Sequence, residues 1–226
     1  MLVAWDKLPE FMRTEAVRPY YELLRKKRAG LFCKRAFDIC AASVLLLLLA
    51  PVFLAVAIAV RADSPGPVFF RQPRVTRHGR IFRIFKFRSM TQGAERGATV
   101  TVQNDARVTR VGKFLRRTRL DETPQVFNIL AGQLTFVGTR PPLPVSLGVY
   151  REEWNATLLL PAGVTSAASI AYKNEEDLLR DAVDPVAVYN NEILPAKMAI
   201  NLAELRSFSF WRDLGTLVRT LGAVAR

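Results

Sequence analysis

The run ICAASVLLLLLAPVFLAVAIAV, which occupies Ile39–Val60, decides the fold of this 226-residue chain. It comprises 22 residues and carries no charge. As a straight helix it would be about 33 Å long, because an α-helix rises about 1.5 Å per residue, and a bilayer core is about 30 Å thick. A buried helix of a soluble protein is rarely apolar on all sides over such a length. The run therefore predicts a membrane helix.

Pro51 lies in the middle of this run and suggests how the helix enters the membrane. A proline inside a helix removes a backbone hydrogen bond and bends the helix. The run is flanked on both sides by basic residues, namely Arg25, Lys26, Lys27, Arg28, Lys34, Arg35, Arg61, Arg71, Arg74 and Arg77. Because basic flanks tend to stay cytoplasmic, we predict a re-entrant helix over 31–63 that bends at Pro51 and returns to the same face. A straight span is the alternative.

The charge of the chain indicates an anionic partner. The net charge is +13, and residues 61–120 alone hold fifteen Lys or Arg against three Asp or Glu. Nucleic acid, anionic lipid head groups or a phosphorylated substrate would each match such a segment. Cys33 and Cys40 lack the spacing of a metal or redox motif, so neither a disulfide framework nor a zinc site is expected. His78, the single histidine, is predicted to lie in a solvated turn.

The rest of the chain divides around the membrane helix. Residues 1–30 are predicted to form a polar N-terminal extension, and residues 64–226 a cytosolic domain. Within that domain the patterns predict strands at 68–70, 83–88 and 134–137, helices at 105–119 and 124–131, a loop at 93–101 and irregular backbone at 138–142. The segment 209–226 has an apolar face of Phe210, Trp211, Leu214, Leu217, Val218 and Leu221. It suits either an interfacial helix or a helix packed on the domain.

Candidate chemistry is concentrated at Asp121-Glu122, which follows a run of arginines and precedes Thr123-Pro124. Thr-Pro is a helix-start signal, and a helix start attracts phosphate through its free N–H groups. Arginines clamp phosphoryl oxygens, and a carboxylate in such a place can bind Mg²⁺ or attack phosphorus. Lys86 and Arg88, which alternate with phenylalanines, are either a solvated basic face or cations that contact phosphate. Ordinary helix capping is the alternative for the carboxylates.

Several segments in series resemble the bacterial sugar transferases, the monotopic phosphoglycosyl transferases that act on polyprenyl phosphate. The segments that carry the resemblance are Lys34-Arg35-Ala36-Phe37-Asp38, Gly66–Gln72, Phe85–Met90, Leu120–Leu130 and Gly138-Thr139-Arg140-Pro141. The resemblance covers about residues 31–215. Thr139 and Ala50 depart from the commonest family pattern, as does the segment 163–173.

The resemblance implies an α+β, predominantly helical fold: a kinked re-entrant membrane helix plus a small cytosolic α/β catalytic domain with surface amphipathic helices. It implies that Asp121 is the nucleophile and a Mg²⁺ ligand, and that Glu122 positions or activates it. Lys86, Arg116 and Arg140 match basic positions that the family uses around the substrate phosphates. Lys173 falls where the family has an arginine near the nucleotide. The implied partners are a UDP-sugar, polyprenyl phosphate and lipids of the bacterial inner membrane at its cytoplasmic face, with no nucleic acid. A homodimer is left open.

Two other functions fit part of the sequence. A non-enzymatic adaptor that binds anionic lipid would explain the basic segment and the apolar run. A nucleic-acid binder would explain the basic segment, but no nucleic-acid motif is present and the apolar run argues against it. Neither explains the Asp121-Glu122 pair beside Pro124.

Overall fold

The structure, a computed structural model, describes residues 2–91, 93, 107–180 and 184–224. Its helices are α1 (Arg18–Lys26), α2 (Arg28–Asp63), α3 (Arg110–Arg117), α4 (Gln125–Leu130), α5 (Ala167–Ala171), α6 (Glu175–Arg180), α7 (Pro185–Val188), α8 (Leu194–Arg206) and α9 (Phe210–Val224). Its strands are β1 (Phe69–Val75), β2 (Ile81–Phe87), β3 (Leu134–Val137) and β4 (Ala162–Thr165). The fold is α+β and predominantly helical, as predicted.

Helix α2 contains the apolar run and continues without a break through Pro51. It is long and apolar enough to cross a membrane, and only 11% of its most apolar 18 residues are buried. Its outward side chains include Leu47 and Leu48, which are 77% and 68% exposed. Because water hydrates such a surface unfavourably, it requires an apolar environment. The membrane helix is thereby supported, and the re-entrant path stays a prediction.

The chain forms two compact units: residues 1–38, 74–82 and 132–226 make the first, and residues 39–73 and 83–131 make the second. In the first unit, the N-terminal segment supplies core residues and is not merely a polar extension. Its buried side chains are Leu8, Met12, Val17, Tyr20, Tyr21 and Leu24. They pack in one cluster with Trp154, Leu159 and residues of α8. The composition of α1 is dominated by charged residues and so did not indicate that Tyr20, Tyr21 and Leu24 form a buried apolar face.

The start of α2 is fastened to β3 within the first unit by two buried charges one helical turn apart. Asp38 accepts hydrogen bonds from Thr135 Oγ1 at 2.7 Å and from the Phe136 N–H at 3.1 Å. Lys34 donates to the Val137 carbonyl at 2.6 Å and to Asp213 of α9 at 2.5 Å. Strand β3 in turn pairs in parallel with β4. Buried charges need such partners, so the four-residue spacing of Lys34 and Asp38 is explained by their contacts with β3 and α9.

The second unit is organised around five phenylalanines. Phe53 of α2, Phe69 of β1, Phe85 and Phe87 of β2, and Phe127 of the α4 helix have ring centroids 5.4–6.2 Å apart. Aromatic pairs at these distances stabilise a core beyond their buried area. The cluster packs the apolar part of α2 against the elements that carry Lys86 and the Asp121 turn.

Two local predictions were wrong. The helix expected at 105–119 begins only at Arg110, because Thr109 caps it by accepting the Gly112 N–H at 3.0 Å, and residues 107–109 are not helical. Residues 105 and 106, and all of the expected loop at 93–101 except Gly93, lie outside the described residues. His78 is half-buried rather than solvated, and burial lowers its pKa to about 4.

Candidate active site

Asp121 and Glu122 lie on a single 3₁₀ turn, Leu120–Glu122, between α3 and α4. Arg119, immediately before this turn, has a left-handed backbone with φ 57°, which a non-glycine residue adopts at some energetic cost. The Thr123 hydroxyl donates to the Leu120 carbonyl at 2.7 Å instead of capping α4, which corrects the expected capping role. The turn therefore holds the two carboxylates at a corner between two helices.

Two cations predicted to contact phosphate lie at this corner. Lys86 of β2 forms an ion pair with Glu122 at 2.6 Å, and both side chains are 19% exposed. Arg116 of α3 donates through Nε to the Ser89 hydroxyl at 3.0 Å. The structure thus brings together Lys86, Arg116, Asp121 and Glu122, which are up to 36 residues apart in sequence.

Asp121 has an environment unlike that of its neighbour. Burial raises the pKa of its carboxyl group, and Glu122 raises it further, while Lys86, Arg116 and Arg119 pull the pKa down. Within the described part of the chain, Asp121 forms no ion pair of its own. A half-buried carboxylate in a field of cations suits a nucleophile that must meet an anionic substrate.

Two residues that sequence reasoning missed build the frame of this corner. Asn128 is fully buried; its Oδ1 accepts the Phe85 N–H at 2.9 Å, and its Nδ2 donates to the Arg83 carbonyl at 3.0 Å. Gly112 lets α3 approach the backbone of Ser89, because a Cβ at that position would lie 2.0 Å from the Ser89 carbonyl oxygen. A buried asparagine within the otherwise apolar VFNIL segment was the one available signal for the first of these.

Arg88, which was predicted to contact phosphate, instead contacts backbone carbonyls. Its buried guanidinium donates to the carbonyls of Val60 at 3.2 Å, Ser64 at 2.6 Å and Pro65 at 2.9 Å. Val60 lies in the last turn of α2, and Ser64 and Pro65 directly follow the helix, where carbonyls have few helical N–H partners. The contacts assign Arg88 to capping the membrane helix, so we leave it out of the proposed phosphate-binding set.

Arg140 and Lys173 belong to the first unit and are described there by themselves. Arg140 is exposed in the irregular segment after β3, whose Pro141 carbonyl accepts from Arg74 at 3.0 Å. Burial and Glu175 raise the pKa of Tyr189, and Arg140 and Arg74 offset part of that rise. Tyr189 opens a π-helical turn, Tyr189–Ile193, a form often found at functional sites. Lys173 is exposed just after α5.

A family model described as bacterial sugar transferase matches residues 29–226. The chain belongs to the bacterial sugar transferase family. The resemblance inferred from the motifs is thereby confirmed.

Several curated proteins are similar in sequence to most of this chain. It is 50% identical over 197 residues to the UDP-N-acetylgalactosamine-undecaprenyl-phosphate N-acetylgalactosaminephosphotransferase of Aeromonas hydrophila, covering 85% of this chain and 44% of that protein. It is 37% identical over 193 residues to the UDP-glucose:undecaprenyl-phosphate glucose-1-phosphate transferase of Escherichia coli K12, covering 83% and 39%. It is 37% identical over 196 residues to the undecaprenyl-phosphate glucose phosphotransferase of Komagataeibacter xylinus, covering 83% and 35%. The chain thus spans between about a third and a half of these relatives.

Asp121 and Glu122 are of the residue types that bind Mg²⁺ with few protein ligands. Among the described residues, no group of three or more Asp, Glu, His or Cys side chains could enclose a metal. Mg²⁺ is commonly bound by one or two carboxylates, with water and substrate phosphates completing its shell. Asp121 and its neighbour Glu122 supply hard oxygen donors of this type, so they would fit as the protein ligands of such an ion.

Replacing Arg88 by methionine should destabilise the protein more than it affects the chemistry. The change removes the three hydrogen bonds that a buried guanidinium donates to the backbone at the end of α2, at a cost of about 3 kcal/mol. The control is Arg83→Met, which removes the same charge from an exposed position on β2, the strand that directly precedes Arg88. Thermal unfolding should show a lower Tm for Arg88→Met only. An unchanged Tm with lost activity would instead favour the phosphate contact.

Proposed function

We propose that this chain transfers a sugar phosphate from a UDP-sugar to polyprenyl phosphate and releases UMP. The proposal is carried by the Asp121 carboxylate, half-buried beside Glu122 and within the field of Lys86, Arg116 and Arg119. The names of the relatives support it, since they describe transfer from UDP-sugars to undecaprenyl phosphate. The proposed transfer would be the first membrane step in the assembly of a bacterial glycan.

In the first half-reaction, an Asp121 carboxylate oxygen attacks the phosphorus that bears the sugar. The bond from this phosphorus to the bridging oxygen breaks, and the oxygen leaves with UMP. Asp121 then holds the sugar phosphate as an acyl phosphate. Lys86 and Arg116 stabilise the charge on the phosphoryl oxygens, which is the main demand of phosphoryl transfer. Mg²⁺, when bound, would neutralise part of the diphosphate charge.

In the second half-reaction, an oxygen of polyprenyl phosphate attacks the same phosphorus. The bond to Asp121 breaks, which restores the free carboxylate and yields a polyprenyl diphosphate sugar. Glu122 is held by Lys86 at 2.6 Å and so stays fixed beside its neighbour through both steps. The scheme needs no histidine base, because both nucleophiles, the Asp121 carboxylate and the phosphate of polyprenyl phosphate, attack through an oxygen that is already ionised at neutral pH.

The covalent intermediate provides the decisive test of this function. The purified protein is incubated with Mg²⁺ and a panel of UDP-sugars labelled in the phosphate next to the sugar, without lipid acceptor. One UMP should be released per active protein, and label should stay on the chain in a form cleaved by hydroxylamine. Adding undecaprenyl phosphate should discharge it. Turnover with acceptor but no trapped label under any condition would argue for direct transfer between the two substrates.

The proposed location is the cytoplasmic face of the inner membrane, with α2 re-entrant. Both ends of α2 should then lie on the same side. Arg28→Cys and Pro67→Cys, each in a variant with Cys33 and Cys40 replaced, place single thiols at exposed positions near the two ends. In intact cells a membrane-impermeant maleimide should label neither, and permeabilisation should expose both. Labelling of one thiol from outside would show that α2 spans the bilayer.

A further inference from the structure

Ser89, which follows β2 in the second unit, is held by its backbone against the start of α3. Its carbonyl accepts the N–H of Thr109, the N-cap residue of α3, at 3.1 Å. The same carbonyl lies over Gly112, where a Cβ would come within 2.0 Å of its oxygen. A glycine in the first turn of α3 therefore lets the helix and the Ser89 backbone approach closely enough to fix Ser89 in place.

The side chain of Ser89 contacts the other end of the same helix. Its hydroxyl accepts from Nε of Arg116, in the last turn of α3, at 3.0 Å. Among the described residues, this hydroxyl is the hydrogen-bond partner of the Arg116 guanidinium. Ser89 thus bonds to the first turn of α3 through its backbone and to the last turn through its side chain.

The contact at Nε restricts the orientation of the Arg116 guanidinium. An arginine side chain is long and has many rotamers, and a partner at Nε selects among them before a substrate arrives. The N–H groups on the two Nη atoms remain for phosphoryl oxygens, which a guanidinium can bind in pairs. The charge of Arg116 also acts on the carboxyl group of Asp121, whose pKa it lowers. The guanidinium that Ser89 holds is therefore one of the cations around the candidate nucleophile.

We infer that Ser89 is a positioning residue for the transfer reaction, whose hydroxyl orients the Arg116 guanidinium toward the phosphoryl group that Asp121 attacks. The inference rests on the proposed function, because Ser89 acts on the substrate only through Arg116. A donor that is oriented in advance stabilises the charge of the transition state without having to be ordered during the reaction. Removing the hydroxyl should therefore slow the reaction although every charge of the site is retained.

The test is a double-mutant cycle on the full chain, with kcat/KM for UMP release measured with Mg²⁺, undecaprenyl phosphate and a UDP-sugar that the wild type uses. Ser89→Ala should lower kcat/KM about 10-fold, and Arg116→Met about 10²-fold. In the Arg116→Met background, Ser89→Ala should change kcat/KM by less than about 2-fold, because the hydroxyl then has no guanidinium to orient. The control is Ser207→Ala, which removes a hydroxyl that bonds to the Ala203 carbonyl in the first unit and should leave kcat/KM unchanged.

The pH dependence of kcat/KM gives a second readout. Its acid limb reports the pKa of Asp121 in the free protein. Because the charge of Arg116 lowers this pKa, Ser89→Ala should move the acid limb to higher pH, in the same direction as Arg116→Met but by less. Glu122, Lys86 and Arg119 act on the same carboxyl group and are unchanged in these variants. Partial misfolding would lower the rate at every pH and leave the limb in place.

The outcomes separate the inference from the function on which it rests. A wild-type kcat/KM in Ser89→Ala, with the loss confined to Arg116→Met, would overturn the role of Ser89 and leave the proposed function intact. An equal loss in both backgrounds with an unmoved acid limb would show that Ser89 supports only the fold, which overturns the inference as well. A wild type that releases UMP from no UDP-sugar would reject the proposed function, and the inference with it.

Discussion

Asp121→Asn should lower UMP release by at least about 10³-fold and leave no trapped sugar phosphate, because the amide cannot form the acyl phosphate. The same change should raise the Tm slightly at neutral pH. Burial raises the pKa of Asp121 in the folded chain above its ordinary value of 3.8, so its ionised form is disfavoured on folding. Stability associated with this group is greatest below that ordinary pKa and falls as pH rises through the folded pKa. The gain from asparagine should therefore vanish in acid.

Asp177→Asn is the matched control, because Asp177 is an exposed carboxylate in the first unit. It should change neither UMP release nor Tm appreciably. For the wild type, UMP release should decline in acid as Asp121 is protonated, at a pH above that expected for an ordinary aspartate. Full activity in Asp121→Asn would remove this residue from the role of nucleophile, whatever its stability.

Lys86→Met should lower UMP release by about 10²-fold, since removing one preorganised charge from a transition-state site commonly has an effect of this size. It also removes a cation that lowers the pKa of Asp121, so the acid limb of the pH–rate profile should move to higher pH. Glu122 loses its 2.6 Å partner in a half-buried place, which should lower the Tm. Steady-state rates between acid and neutral pH, together with thermal unfolding, check all three effects.

The double variant Lys86→Met/Glu122→Gln separates the two roles of the lysine. Removing both charges should restore much of the lost Tm, since residue 122 then no longer carries the negative charge that Lys86 balanced, but it should not restore activity. Lys113→Met, an exposed lysine of α3, serves as the control for loss of a positive charge. Recovery of activity in the double variant would mean that Lys86 acts only by holding Glu122 and does not stabilise substrate charge.

Much of the candidate site was predictable because its signals are local. Asp121 and Glu122 are adjacent in sequence, and helix α4 ends at Leu130, two residues before Gly132, whose φ of 71° favours a glycine, as the pattern indicated. The pairing of Lys86 with Glu122 was not predictable, since it joins β2 to the turn after α3. The contacts of Arg88 with the backbone at the end of α2 were not predictable for a similar reason. The alternation along β2 shows on which face of the strand Arg88 lies. It does not show that the end of α2 packs against that face.

By itself, the sequence indicated the membrane helix, the family and the candidate catalytic pair, because length, apolar composition and short motifs can be read along the chain. Only the tertiary structure decided which cations accompany Asp121, that Asn128 and Gly112 shape the corner, and that residues 8–24 contribute to a core. It also decided which face of α9 points outward. These features depend on contacts between distant segments. A pattern along one helix or strand gives the arrangement of its side chains, but the element packed against it decides which of them become buried.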